Sequence, residues 1–164
     1  QPAAGTYPLS ESGPAGYPRT SLTCDNAVGQ VDSATLELGE QVTCTFVNDD
    51  EAPGLTLVKQ VINNNGGTAA PADWTLTAVG YDPGNPLPGT YALSESGPAG
   101  YTHTSLTCNN AVGEDDTVTL GLGEQVTCTF VSDDDPPSLT LLKQVTNNKG
   151  GSADPEDWTL TAGG

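Results

Sequence analysis

Apolar and polar residues alternate with a period of two in short runs along this chain, and no segment carries the 3.6-residue period of a helix. In "LTLVKQV", residues 55 to 61, the odd positions place Leu55, Leu57 and Val61 on one face with Lys59 among them. Trp74, Leu76 and Ala78 share a face of "DWTLTA", as do Tyr91, Leu93 and Glu95 in "GTYALSE". Leu106 and Cys108 pair in "TSLTC", Val118, Leu120 and Leu122 in "TVTLGL", and Val126, Cys128, Phe130 and Ser132 in "QVTCTFVS". Turns rich in Gly, Pro, Asn and Asp separate these runs. The pattern predicts an all-β fold of small antiparallel β-sandwiches.

The same pattern occurs twice. Setting residue 1 against residue 85 and continuing to the pair 80 and 164 needs no gap, and 57 of the 80 pairs are identical, so the repeat unit is 84 residues. Such a repeat predicts a tandem array of folded units. Residues 54–137 form one complete repeat. Residues 1–53 read as a truncated repeat lacking its first two strands, and residues 138–164 as those two strands belonging to a following repeat. An isolated pair of strands is barely stable in water. The simplest expectation is strand complementation between neighbouring chains, residues 138–164 of one completing residues 1–53 of the next. The chain is then either a window on a longer tandem polypeptide or a subunit that polymerises by donating strands.

Composition narrows the function classes. Asp and Glu outnumber Lys and Arg 21 to 4, for a formal charge of −17, which disfavours nucleic acid and anionic membrane surfaces. No apolar run is long enough to span a bilayer, so membrane insertion is not expected. With 20 Gly, 13 Pro, 5% aromatic residues and four Cys, the chain reads as an extracellular or cell-surface β-protein. Each repeat carries two Cys twenty residues apart on inward faces. Four Cys allow three connectivities, and the repeat selects Cys24 with Cys44 and Cys108 with Cys128. Zinc would need paired Cys and His spacings that the repeat lacks.

Parity also puts three polar side chains on apolar faces: Lys59, Glu95, and the next same-face position after the last-strand Phe, which is Ser132 in one repeat and Asn48 in the other. A buried charge must be paired or removed. Lys with Glu would form an ion pair, whereas Lys with Asn beside a proton-shuttling carboxyl could form an isopeptide bond with loss of ammonia. The order of a first-strand Lys, then "GTYALSESGPAGY", then a last strand ending "TFVND" resembles the prealbumin-like, collagen-adhesin B-type repeats of bacterial surface proteins and pilins. The resemblance covers essentially the whole repeat. It implies Lys59 and Lys143 as nucleophilic amines, Glu11 and Glu95 as catalytic acids, and Asn48 as acceptor. Ser132 cannot be an acceptor, whereas Lys143 could meet Glu11 and Asn48 of the next chain and make a covalent join there; the alternatives to any isopeptide are a plain buried Lys and Glu pair or a snorkelling Lys.

Acidic clusters at the junctions, Asp49, Asp50 and Glu51, and Asp133, Asp134 and Asp135, fit either a calcium ion that stiffens the joint or a solvated linker. No other cofactor is expected. The acidic turn at 113–116 reads as an ordinary turn, His103 as a surface residue because its repeat counterpart is Arg19, and Trp74 and Trp158 as core residues. No nucleophile with a base, phosphate loop or glycosidase cleft is present. A structural filament, pilus or adhesin stalk whose partners are other copies of itself is therefore expected. The competing expectation is a module that binds an extracellular ligand, whether carbohydrate, host protein or cation, with avidity from repetition.

Overall fold

The computed structural model describes residues 2–110 and 116–163, so the acidic turn at 113–116 lies outside the described residues except for Asp116. Residues 54–134 build two three-stranded sheets from six strands: β5 (Gly54–Ile62), β6 (Thr75–Val79), β7 (Gly89–Ser96), β8 (Tyr101–Cys108), β9 (Thr117–Leu120) and β10 (Gln125–Asp134). One sheet has the order β5-β10-β8 and the other β6-β7-β9. The faces predicted by parity meet between them. Leu93, Val118 and Leu120 from one sheet pack with Leu106, Cys108, Val126, Cys128 and Phe130 from the other, and Leu55, Leu57, Leu76 and Ala78 line the margin.

The expectation of a wholly antiparallel sandwich needs correction. β5 runs parallel to β10, from Gly54 opposite Gln125 to Ile62 opposite Asp133. The first strand of the unit thus lies beside the last, a pairing that only a long crossover through the other four strands permits. Period-two alternation reports which face a side chain takes and says nothing of strand direction, so this was invisible in the sequence.

Residues 5–48 repeat part of this plan with β1 (Gly5–Pro8), β2 (Arg19–Cys24), β3 (Ser33–Leu36) and β4 (Cys44–Asn48). β1 pairs with β3 and β2 with β4, as β7 pairs with β9 and β8 with β10. Two disulfides, Cys24–Cys44 and Cys108–Cys128, cross-link the β2–β4 and β8–β10 pairs at directly opposed positions. The first-repeat core is thinner. Phe130 is 1% exposed, while its counterpart Phe46 is only partly buried, because no strand covers β4 as β5 covers β10.

Residues 138–163, expected as two strands, contain none; their regular structure is a single 3-10 turn at Pro155–Asp157. A strand needs a ladder partner for its backbone groups, and among the described residues this segment has none. Leu139 and Leu142 are 70% and 88% exposed. No helix among the described residues is long and apolar enough to cross a membrane.

Candidate functional site: a finished polar cluster and its unfinished counterpart

Alternation along β5 carries Lys59 into the gap between the sheets, where its side chain is 3% exposed. Nζ donates to Glu95 Oε2 at 2.6 Å and to Ser132 Oγ at 2.5 Å. The Ser132 hydroxyl donates to Glu95 Oε1 at 2.9 Å, and His103 Nδ1 lies 2.7 Å from the same oxygen. Nζ also sits 4.8 Å from the centre of the Trp74 ring, which meets Tyr101 edge-on at 5.2 Å. A desolvated ammonium therefore has a carboxylate, a hydroxyl and an aromatic face, the compensation that burial of charge requires. Burial pulls the Glu95 carboxyl upward, but the hydrogen bonds from Lys59, His103 and Ser132 outweigh it and hold the group below its ordinary value.

The structure thus brings Lys59, Glu95 and Ser132 together, as parity predicted. It adds His103, expected on the surface. His103 is exposed, yet its ring reaches Glu95. The signal available was that His103 and Arg19 are both basic, and so keep a donor at that position. Arg19 instead lies 3.7 Å from Asp32.

Of the two acidic clusters considered for calcium, the second is tied into the fold through Asp134. Asp134 is 4% exposed and accepts backbone N–H groups from Asn64 at 2.8 Å, Asn65 at 2.9 Å and Gly67 at 2.6 Å. These donors overcome the effect of burial and keep its carboxyl below the ordinary range. Asp134 anchors the β5–β6 turn, and its lone pairs are occupied. Gly67 is required there, since a Cβ would collide with the Tyr101 hydroxyl and with Asp134. Tyr101 completes the anchor by donating to Asn63 Oδ1 at 2.6 Å and accepting Ala69 N–H at 3.0 Å. Asp133 is half-buried and Asp135 exposed, with Oδ1 accepting the Thr102 hydroxyl; Asp49, Asp50 and Glu51 are exposed. Among the described residues, no three His, Cys, Asp or Glu gather in a way that would hold a metal.

In residues 5–48 the equivalent site is open. Asn48 Nδ2 donates to Glu11 Oε1 and to the Tyr17 carbonyl, each at 3.1 Å, so the expected acceptor and acid are already adjacent. They border a cavity of about 470 Å³ with Ser12, Gly13, Pro14 and Tyr17. In the complete repeat the matching space is filled, since a Cβ on Gly97 would strike the Trp74 indole, whereas nothing lies within 4 Å of one on Gly13. Lys143 does not reach Glu11 or Asn48 within the chain. Its Nζ lies 4.4 Å over the Trp158 ring, the same Lys and Trp pairing as Lys59 with Trp74. The turn beyond it is also in place: Asn147 Nδ2 donates to Ala153 O at 2.9 Å, as Asn63 does to Ala69 O at 3.1 Å.

Comparison with protein families matches residues 1–46, 50–130 and 134–164 to the SpaA-type prealbumin-like fold domain. No curated protein and no solved structure matches the chain. With nearly every residue inside the match, this chain belongs to the family of SpaA-type prealbumin-like fold domains.

Proposed function

We propose that this protein is a structural module of an extracellular filament, of the pilus or adhesin-stalk kind, in which residues 138–164 of one chain complete residues 1–53 of the next. One observation carries the reading: the open cavity at Glu11, Gly13, Tyr17 and Asn48 is the counterpart of the space that Lys59 and Trp74 fill, and Lys143 and Trp158 stand exposed or half-exposed in the same mutual arrangement. Transposing the β5–β10 register by one repeat lays Leu139 to Thr146 alongside Val42 to Asp49, in parallel. Lys143 then enters beside Phe46, Trp158 packs on Gly13 and Tyr17, and Asp50 receives the amides of residues 148, 149 and 151. The donated turn keeps its fold before docking, so less conformational entropy is lost on binding than for a disordered segment.

Docking of Lys143 against Glu11 and Asn48 would also place the reactants of an isopeptide bond. The neutral amine attacks Asn48 Cγ, a C–N bond forms and the Cγ–Nδ2 bond breaks. Glu11 takes the amine proton and passes one to the leaving nitrogen, which departs as ammonia. The role is structural rather than catalytic, and the disulfides fit an oxidising exterior.

The test is the intact mass of assembled protein boiled in denaturant and reductant. A ladder of multiples of 16.7 kDa, each short of one ammonia per joint, is expected if the bond forms, and a return to 16.7 kDa if donated strands alone hold the joint. Purified chains that stay monomeric at high concentration would overturn the reading.

A further inference from the structure

Within the chain the two repeats meet in a small clamp. Glu51 N–H donates to Gly16 O at 2.8 Å, Gly123 N–H to Glu51 O at 2.7 Å, and Gly54 N–H to Glu124 O at 2.8 Å. Pro53 is fully buried between these bonds. Leu122 presses on Gly16 so closely that a Cβ there would collide with the Leu122 side chain and carbonyl, and Gly16 has φ +80°. Both features demand glycine.

Each half of the clamp occurs a second time without its partner. Gly100 and Asp135 are the repeat counterparts of Gly16 and Glu51; Asp135 N–H donates to Gly100 O at 2.9 Å, and Gly100 has φ +82°. Nothing lies within 4 Å of a Cβ built on Gly100. On the other side, Leu38 is the counterpart of Leu122 and is 92% exposed. Its turn already has the clamp's shape. Glu40 Oε2 accepts Glu37 N–H at 2.8 Å as Glu124 Oε2 accepts Gly121 N–H at 2.7 Å, and Asn26 holds Glu40 as Asn110 holds Glu124. The turn borders a groove of about 350 Å³.

We propose that the Gly100 loop of one chain receives the Leu38 turn of a second copy, rebuilding the internal clamp between chains. Gly39 N–H would donate to Asp135 O, Ser138 N–H to Glu40 O, and Leu38 would cover Gly100. The occupant is a second copy because the same two surfaces are already joined inside each chain. The inference rests on the strand-donation reading and adds direction to it. Donated strands tether neighbours, while the clamp sets the angle between them, so that joints between chains repeat the joint within the chain and the filament is stiff.

Two variants test it, Leu38→Arg and Gly100→Asn. Leu38 is exposed, and Asn tolerates positive φ, so both should fold with unchanged thermal unfolding as monomers. Sedimentation velocity and electron microscopy should show the concentration for half-assembly raised roughly tenfold, the loss of one well-packed contact, with filaments bent at the joints. Variants that assemble at the unaltered concentration into straight filaments overturn the clamp and leave strand donation standing. An unaltered chain that never assembles overturns both.

Discussion

Lys59 is one of four Lys and Arg residues in the chain, and its side chain is 3% exposed against 11% for Glu95. A pair this dry is stable only while both members and their hydrogen bonds are present. Lys59→Met should therefore cost about 3–5 kcal/mol by leaving Glu95 uncompensated, while Lys59→Met combined with Glu95→Leu should recover most of that loss. Urea titrations with a common m-value would measure both, and a single variant as stable as the parent would contradict the paired reading. The pH dependence follows from the direction of the Glu95 shift. Its folded value lies below the ordinary 4.5, so its contribution is complete above that pH and is lost as the pH falls through the lower folded value. Unfolding midpoints of the parent should fall steeply only below about pH 4.5, and Lys59→Met should flatten that limb because its carboxyl has lost its strongest donor.

At the scale of elements, a chain with 5% aromatic residues relies on cross-links between strands. Cys108–Cys128 ties β8 to β10 at facing positions and closes a twenty-residue separation, so replacing both with Ala should lower the stability of the complete repeat by roughly 3 kcal/mol. Chemical denaturation of the double variant against the parent checks this, and a loss below about 1 kcal/mol would mean that the β5–β10–β8 ladder holds without the staple. β10 is the central strand of its sheet, ten residues long, with Phe130 and Cys128 essentially inaccessible. β4, its counterpart, is five residues long and open along one edge, since only β2 pairs with it. An uncovered edge is a template for another strand, and β4 is where residues 139–146 would dock.

For the whole molecule, the charge of −17 sets the kinetics of any association between copies. Like-charged chains repel beyond contact, and salt shortens the reach of that repulsion to roughly 8 Å at physiological ionic strength. Assembly should therefore speed up as sodium chloride rises from about 10 to 150 mM, across which the screening length falls from roughly 30 Å to 8 Å. Light scattering during assembly would record it. Slowing on added salt would point instead to an attractive charge pairing at the joint.

Much of this was legible in the sequence because it depends on local geometry. Side-chain parity in a strand has a period of two whatever the strand pairs with, so the inward placement of Lys59, Glu95, Ser132 and the four Cys followed from spacing, and the repeat selected the pairing of the Cys. Other features depend on what lies across a gap in space. The parallel pairing of β5 with β10, the capture of His103 by Glu95 and the use of Asp134 as a turn anchor involve partners 8 to 71 residues away, set by how the sheets face each other. The unpaired state of residues 138–163 belongs to the same class. Its residues match those of β5 and β6, and only the presence of a neighbouring ladder decides whether their backbone groups bond to a strand or to water.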